Sequence, residues 1–111
     1  MKLSLHRADD FNSDFRHQYD WYLHEAASED IAENFLEAVQ STLQRLLTHP
    51  DLGRKLKYRN PKLSNIQLFR VDAPFHRLSI FYRHDGKVLS VERLMHGARD
   101  LPRRLAEPPG R

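Results

Sequence analysis

The chain has 111 residues, of which 40% are hydrophobic and 30% charged, so it fits one domain with a core and is not disordered throughout. It contains no cysteine, which excludes disulfides and thiolate chemistry and leads us to expect a reducing, cytoplasmic setting. It has no secretory signal and no apolar run near the roughly 18–20 residues of a membrane helix, so no membrane association is expected.

The net charge of +3 is distributed unevenly along the chain. Residues 1–50 contain 4 Lys/Arg and 9 Asp/Glu, a balance of −5. Residues 51–111 contain 14 Lys/Arg and 6 Asp/Glu, a balance of +8. Such a basic half favours an acidic partner or nucleic acid, although a solvated face that keeps the protein soluble would have the same composition.

The first half of the chain predicts a strand followed by two helices. Residues 2–7 alternate as a short strand does, and Asp9 or Asp10 can cap the helix that follows. The apolar face of that helix has helical spacing and consists of Phe11, Phe15, Tyr19, Tyr22 and Ala26. Ser28 predicts the N-cap of a second helix, which Pro50 ends and whose apolar face consists of Ile31, Phe35, Val39, Leu43 and Leu46. The short link between them predicts an antiparallel hairpin.

The second half predicts strands joined by short turns. Residues 54–65 are a basic loop or an irregular strand, and the strands are expected at 66–71, 76–83 and 87–95. Asp72-Ala73-Pro74 and His84-Asp85-Gly86 predict the turns between these strands, and Pro102 lies in a short helical turn.

The element order predicts an α+β fold. It consists of an N-terminal strand and a two-helix antiparallel hairpin packed on one face of a mostly antiparallel four-stranded sheet. We expect a single domain over residues 1–105 and a flexible tail over 106–111.

Several kinds of site are excluded by spacing. The glycines at positions 53, 86, 97 and 110 are isolated, so there is no phosphate-binding loop and no dinucleotide fold. No two histidines lie four residues apart on a predicted helix, and we therefore expect neither a metal site nor a cofactor.

Basic residues of the second half are the remaining candidates. Those expected to bind a target or nucleic acid are Lys55, Lys57, Arg77, Arg83, Arg99 and Arg103. Arg77 and Arg83 are six positions apart, so in an unbroken strand they project to one side with Phe81 between them, a pattern that suits phosphate contacts and base stacking. The alternative is an ordinary sheet face, with Phe81 in the core and the arginines paired to Glu92 or Asp100.

Two motifs in the second half carry a resemblance to a known family. They are Ile80-Phe81-Tyr82-Arg83 and Met95-His96-Gly97-Ala98-Arg99-Asp100, supported by His49-Pro50-Asp51-Leu52-Gly53-Arg54 after the second helix. Together with the element order, they resemble the RelE/ParE toxin superfamily, most of all its ParE branch. The resemblance implies a cytoplasmic bacterial toxin of a type II toxin–antitoxin system, as in plasmid stabilisation. It also implies a cognate antitoxin whose acidic segment folds on binding.

The resemblance leaves two targets open. ParE members are associated with poisoning DNA gyrase, whereas RelE-like relatives cleave mRNA on the ribosome. In the ribonuclease interpretation the catalytic candidates are His96, Arg83 and Arg70, with His96 transferring the proton. Gly97 stands where those relatives carry Tyr, and glycine can neither stack on a base nor relay a proton. We therefore expect a ParE-like gyrase inhibitor rather than an enzyme, with a RelE-like mRNA endonuclease as the alternative.

Overall fold

A computed structural model describes residues 2–97 and 101–107, in which helices cover one face of a sheet. The elements in chain order are β1 (Ser4–Arg7), α1 (Asp9–His24), α2 (Glu29–Thr48), β2 (Arg54–Lys55), β3 (Gln67–Arg70), β4 (Leu78–His84), β5 (Val88–His96) and α3 (Leu101–Ala106). Short 3₁₀ turns at Pro50–Leu52 and Pro61–Leu63 flank β2. The predicted α+β order of strand, helical hairpin and strands is confirmed.

The sheet has five strands in the order β1-β5-β4-β3-β2, so the predicted four-stranded sheet is corrected by one strand. The additional strand is β2, whose Arg54 and Lys55 pair with Leu68 and Gln67 of β3. β1 lies parallel to β5, and the other neighbours are antiparallel. The two-helix hairpin leads the chain from β1 at one edge of the sheet to β2 at the other edge, and the following strands return to β5 beside β1.

The ends of the two long helices differ in how they are capped. Ser28 is the N-cap of α2, as predicted, and its Oγ accepts the Ile31 N–H at 3.1 Å. The N-cap of α1 is Ala8 without a side-chain hydrogen bond, so Asp9 and Asp10 lie within the first turn. Their carboxylates interact favourably with the positive end of the helix dipole, but they do not cap the helix. Ala26 lies beyond the end of α1 and is exposed, so it is not part of the buried face.

The main core lies between the hairpin and the sheet. The buried positions of the helices include Phe11, Phe35, Val39, Leu43 and Leu46, whereas Phe15 and Tyr22 are half-buried around them. The ring of Phe35 is the centre of an aromatic cluster, with centroids 5.1 Å from Phe15, 5.2 Å from Tyr22 and 5.4 Å from Phe75. Ile31 is 39% exposed, because it lies near the start of α2, where the predicted apolar face leaves the core.

A second, smaller core covers the opposite face of the sheet. It consists of Leu63, Ile66, Phe81, Met95 and Leu105, contributed by the loop before β3, by the sheet and by α3. Phe81 is fully buried there. The exposed row of Arg77, Phe81 and Arg83 considered from the sequence is therefore not formed, and the core position of Phe81 is the correct alternative.

Tyr82 fixes the turn that follows α2. Its hydroxyl donates to the Pro50 carbonyl at 2.6 Å and accepts the Gly53 N–H at 2.9 Å and Nε2 of Gln67 at 3.3 Å. Burial raises the pKa of Tyr82 to about 12, so the hydroxyl keeps its proton. A Cβ at Gly53 would lie 2.4 Å from the Tyr82 oxygen, which only glycine avoids. This network holds the chain entering β2 against the sheet.

Phe35→Ala should lower the free energy of unfolding by about 3–5 kcal/mol, because it removes a fully buried ring from the centre of the aromatic cluster. Urea unfolding followed by circular dichroism measures the change. Ile31→Ala on the same helix, at a position 39% exposed, is the control and should cost less than about 1 kcal/mol. Equal costs for the two variants would contradict this description of the core.

Candidate functional site

A groove of about 840 Å³ lies at the end of the sheet where β3 and β5 finish and β4 begins. Its lining residues are Leu52, Arg54, Leu68, Phe69, Arg70, His76, Arg77, Ser79, His96 and Gly97. Strand register explains the floor: Arg54 lies opposite Leu68, and Arg70 lies opposite Ser79. Residues opposite each other on paired strands share a face of the sheet, and Leu68 packs on the second core. The floor of the groove therefore lies on the face opposite α1 and α2.

The groove is basic and its described lining contains no carboxylate. Arg54, Arg70 and Arg77 are all exposed. Within residues 2–97 and 101–107, no side-chain hydrogen bond or ion pair engages these three guanidinium groups. They are therefore available to an anionic ligand, for which the planar guanidinium is a bidentate donor.

Arg83 lies outside this groove and holds the loop that covers the second core. Its guanidinium donates to the carbonyls of Ser64 at 2.9 Å and Lys62 at 2.7 Å, and it lies 3.7 Å from a carboxylate oxygen of Glu92. These contacts order the segment that carries Leu63. The structure thus separates Arg83 from Arg70 and His96, with which the sequence had grouped it.

Arg93 is buried, and all three nitrogens of its guanidinium form hydrogen bonds. Its Nε lies 2.7 Å and its Nη2 3.2 Å from the two carboxylate oxygens of Asp14 in α1. Its Nη1 donates to the carbonyls of Arg104 at 3.2 Å and Glu107 at 2.7 Å. The side chains of the pair are only 8% and 9% exposed, so this arginine is part of the interior of the protein.

The described basic candidates other than those above do not line the groove. Lys55 lies opposite Gln67, whose side chain contacts Tyr82 on the helical side of the sheet. Lys57 is exposed in the loop after β2. Arg103 is exposed on α3 and forms an ion pair of 2.9 Å with Glu107. Arg99 lies outside the described residues.

His96 and Gly97 form the wall of the groove at the end of β5. His96 is exposed, and the Gly97 N–H donates to the Arg77 carbonyl at 3.2 Å. A Cβ at Gly97 would lie 3.9 Å from the Ser79 oxygen, so a side chain would have room there and none is present. The described lining contains no tyrosine and no acid that could orient the His96 imidazole. Among the described lining residues, the imidazoles of His76 and His96 are the groups suited to proton transfer near neutral pH.

Sequence analysis missed two lining residues, Arg54 and His76. Arg54 belongs to a strand of only two residues, which carries no periodicity, and His76 precedes β4 in a loop. The signal for Arg54 was its place at the end of the segment 49–54, which supports the family resemblance but assigns no role to the arginine. Nothing in the local pattern indicated that His76 shares a groove with His96.

Two further observations concern metal ions and membranes. Among residues 2–97 and 101–107, no group of three His, Asp or Glu side chains is placed to hold a metal ion. In the same part of the chain, no helix is both long and apolar enough to cross a membrane.

Comparison with known proteins identifies the family. The sequence matches the family described as the ParE toxin of type II toxin–antitoxin systems over residues 5–101. The chain belongs to the ParE toxin family. No curated protein matches the sequence. The ParE fold is also found in a solved structure described as the chromosomal ParDE toxin–antitoxin system from P. aeruginosa. That chain superposes with a TM-score of 0.68 at 15% identity, covering 87% of this chain and 98% of its own.

The family match confirms the resemblance given by the two sequence motifs, and the superposition confirms the fold. The matched range of residues 5–101 includes all of the sheet except Ser4 and every lining residue of the groove. In this ParE-family chain, the arginines therefore divide into interior ones such as Arg93 and exposed ones that line the groove.

Arg93→Gln should lower the free energy of unfolding by about 3–5 kcal/mol, because it leaves the buried Asp14 carboxylate without its charge partner. Arg70→Gln removes the same charge from the exposed groove and should change stability by no more than about 0.5 kcal/mol. Urea unfolding of both variants tests the division. It would be refuted if Arg70→Gln were as destabilising as Arg93→Gln.

Proposed function

We propose that the chain is the toxin of a toxin–antitoxin pair, that a cognate antitoxin neutralises it, and that it inhibits DNA gyrase rather than cleaving mRNA. Membership of the ParE family over residues 5–101 supports the first part, and the association of ParE toxins with gyrase supports the target. The toxin acts in the cytoplasm, where both proteins meet.

The observation that carries the choice of target is the composition of the groove around His96. Cleavage of RNA needs a group that takes the proton of the 2′-hydroxyl, a group that protonates the leaving oxygen, and cations on the phosphate. The groove supplies cations through Arg54, Arg70 and Arg77. At residue 97, however, glycine provides no hydroxyl next to His96, and no described lining residue is an acid. This composition supports binding more than proton transfer.

One observation favours the ribonuclease alternative. His76 lines the same groove as His96, so two imidazoles border the arginines. A pair of imidazoles can divide the roles of base and acid between them. Any cleavage by this route would depend on His96 and would be abolished with it.

We expect the purified chain to inhibit supercoiling by gyrase and to accumulate cleaved plasmid DNA. His96→Ala should retain this activity within a few-fold, whereas loss of a general acid or base typically lowers a rate by about 10²–10⁴. The measurement is a supercoiling assay with denaturant-trapped cleavage products, run beside a translation reaction in which mRNA integrity is followed. Gly97→Ala is a matched control, because the added Cβ lies 3.9 Å from its nearest neighbour.

Cleavage of mRNA in ribosomal A sites by the wild-type chain, abolished in His96→Ala, would overturn the gyrase proposal in favour of the alternative. A chain that leaves both gyrase and mRNA unaffected would also contradict it.

The proposed antitoxin is an acidic, partly amphipathic protein encoded beside the toxin gene. The charge of +8 in residues 51–111 supports an acidic partner, and ordering of its segment on binding would bury apolar anchors. We expect the neighbouring protein to co-purify with the chain, to withstand moderate salt and to rescue growth when co-expressed. A neighbour that neither co-purifies nor restores growth would argue strongly against a two-protein module.

A further inference from the structure

We propose that the groove lined by Arg54, Arg70 and Arg77 binds the phosphodiester backbone of DNA, so that the toxin contacts the DNA held by gyrase as well as the enzyme. The gyrase part of this inference rests on the proposed function. The DNA-binding part concerns the chain alone and can be tested without gyrase.

The first argument is that the arginines of the groove, unlike others, have no polar partner within the described part of the protein. Arg45, Arg83 and Arg93 each have polar partners within the protein: Asp72, two backbone carbonyls and Asp14, respectively. Arg54, Arg70 and Arg77 have none in the described residues, yet register and loop geometry bring all three to one groove. No carboxylate of the described lining neutralises these three cations, and their mutual repulsion favours an anionic ligand there.

The second argument is the chemistry of the surrounding groups. The rest of the polar lining is His76, His96 and Ser79, which are uncharged or cationic hydrogen-bonding groups. Phosphate oxygens accept hydrogen bonds from all of these groups, and a guanidinium binds them in a bidentate manner. With no acid in the described lining, nothing opposes the approach of a polyanion.

The third argument separates DNA from an acidic peptide. An acidic peptide that folds on docking needs several apolar anchors. The apolar side chains of the groove lining are Leu52, Leu68 and Phe69, and only Leu52 is exposed, whereas Leu68 and Phe69 are half-buried against the two cores. The basic groove has three arginines and two histidines among ten lining residues, a composition closer to that of phosphate-binding surfaces.

The experiment measures binding of the chain alone to a labelled DNA duplex and to one of its strands by fluorescence anisotropy. At physiological salt we expect a Kd near the non-specific range of about 10⁻⁴–10⁻⁶ M, with little dependence on sequence. Three phosphate contacts predict a slope of log Kd against log salt of roughly 2 to 3 between about 50 and 200 mM.

The test variant is Arg70→Gln/Arg77→Gln, and its matched control is Arg16→Gln/Arg59→Gln. Arg16 and Arg59 are exposed and lie outside the groove lining. Their substitution removes two positive charges, as the test variant does. The test variant should weaken binding by roughly tenfold or more and reduce the salt slope by about two, because each lost phosphate contact removes about one. The control should stay within about twofold, since only long-range steering changes.

Three outcomes would overturn the groove proposal: no DNA binding by a chain that poisons gyrase, equal weakening in the control variant, or displacement of DNA by polyglutamate at equal charge concentration. The first of these leaves the gyrase proposal intact. DNA binding that depends on Arg70 and Arg77 in a chain that leaves gyrase active would instead support the groove and refute the proposed function. Loss of gyrase poisoning in the test variant but not in its control would support both.

Discussion

The buried pair of Arg93 and Asp14 fixes the relative positions of the helices, the sheet and the C-terminal segment. β1 accompanies β5 only as far as Val91, so the edge of β5 beyond that point has no strand beside it. Asp14 of α1 takes that place, accepting the Leu94 N–H at 3.0 Å as well as the two Arg93 contacts. Arg93 also holds the Glu107 carbonyl, so one guanidinium joins three elements. A buried ion pair is costly to desolvate, so we interpret its main contribution as specificity. It fixes one arrangement of α1, the end of β5 and the C-terminal segment relative to one another.

The groove is formed by the ends of β3, β4 and β5. The relative positions of these strand ends therefore determine which basic residues are exposed together. The charge of +8 in the second half of the chain does not by itself define a binding surface. Arg83 and Arg93 donate to backbone carbonyls and a carboxylate inside the fold, whereas Arg54, Arg70 and Arg77 lie beyond the two cores and have no side-chain partner among the described residues. Basic residues therefore differ in role according to whether the fold has an acceptor within reach, and net charge does not distinguish them.

Local periodicity predicted the parts of the fold that depend on local pattern. The helical spacing of residues such as Phe11 in α1 and Phe35 in α2 identified both helices and most of the main core. Residues 54–65 were left open as a loop or an irregular strand, because the two residues of β2 carry no alternation. Alternation placed Phe81 correctly on the face opposite Tyr82, but the cover over that face comes from Leu105 and the loop before β3, which are distant in sequence. The groove was only partly predicted for the same reason, since its members come from four separate segments.

The groove separates the requirements of the two candidate functions. In this chain the fold brings cations to the ends of β3, β4 and β5, whereas any reaction there would depend on a few additional side chains. Under the proposed function toxicity needs charge at this place, and Arg54, Arg70 and Arg77 provide it. A toxin that cleaves RNA needs a proton relay as well, and the position where one would stand next to His96 holds Gly97, with open space of 3.9 Å to its nearest neighbour. Under the proposed function no proton relay is needed, so the missing side chain at residue 97 is compatible with toxicity.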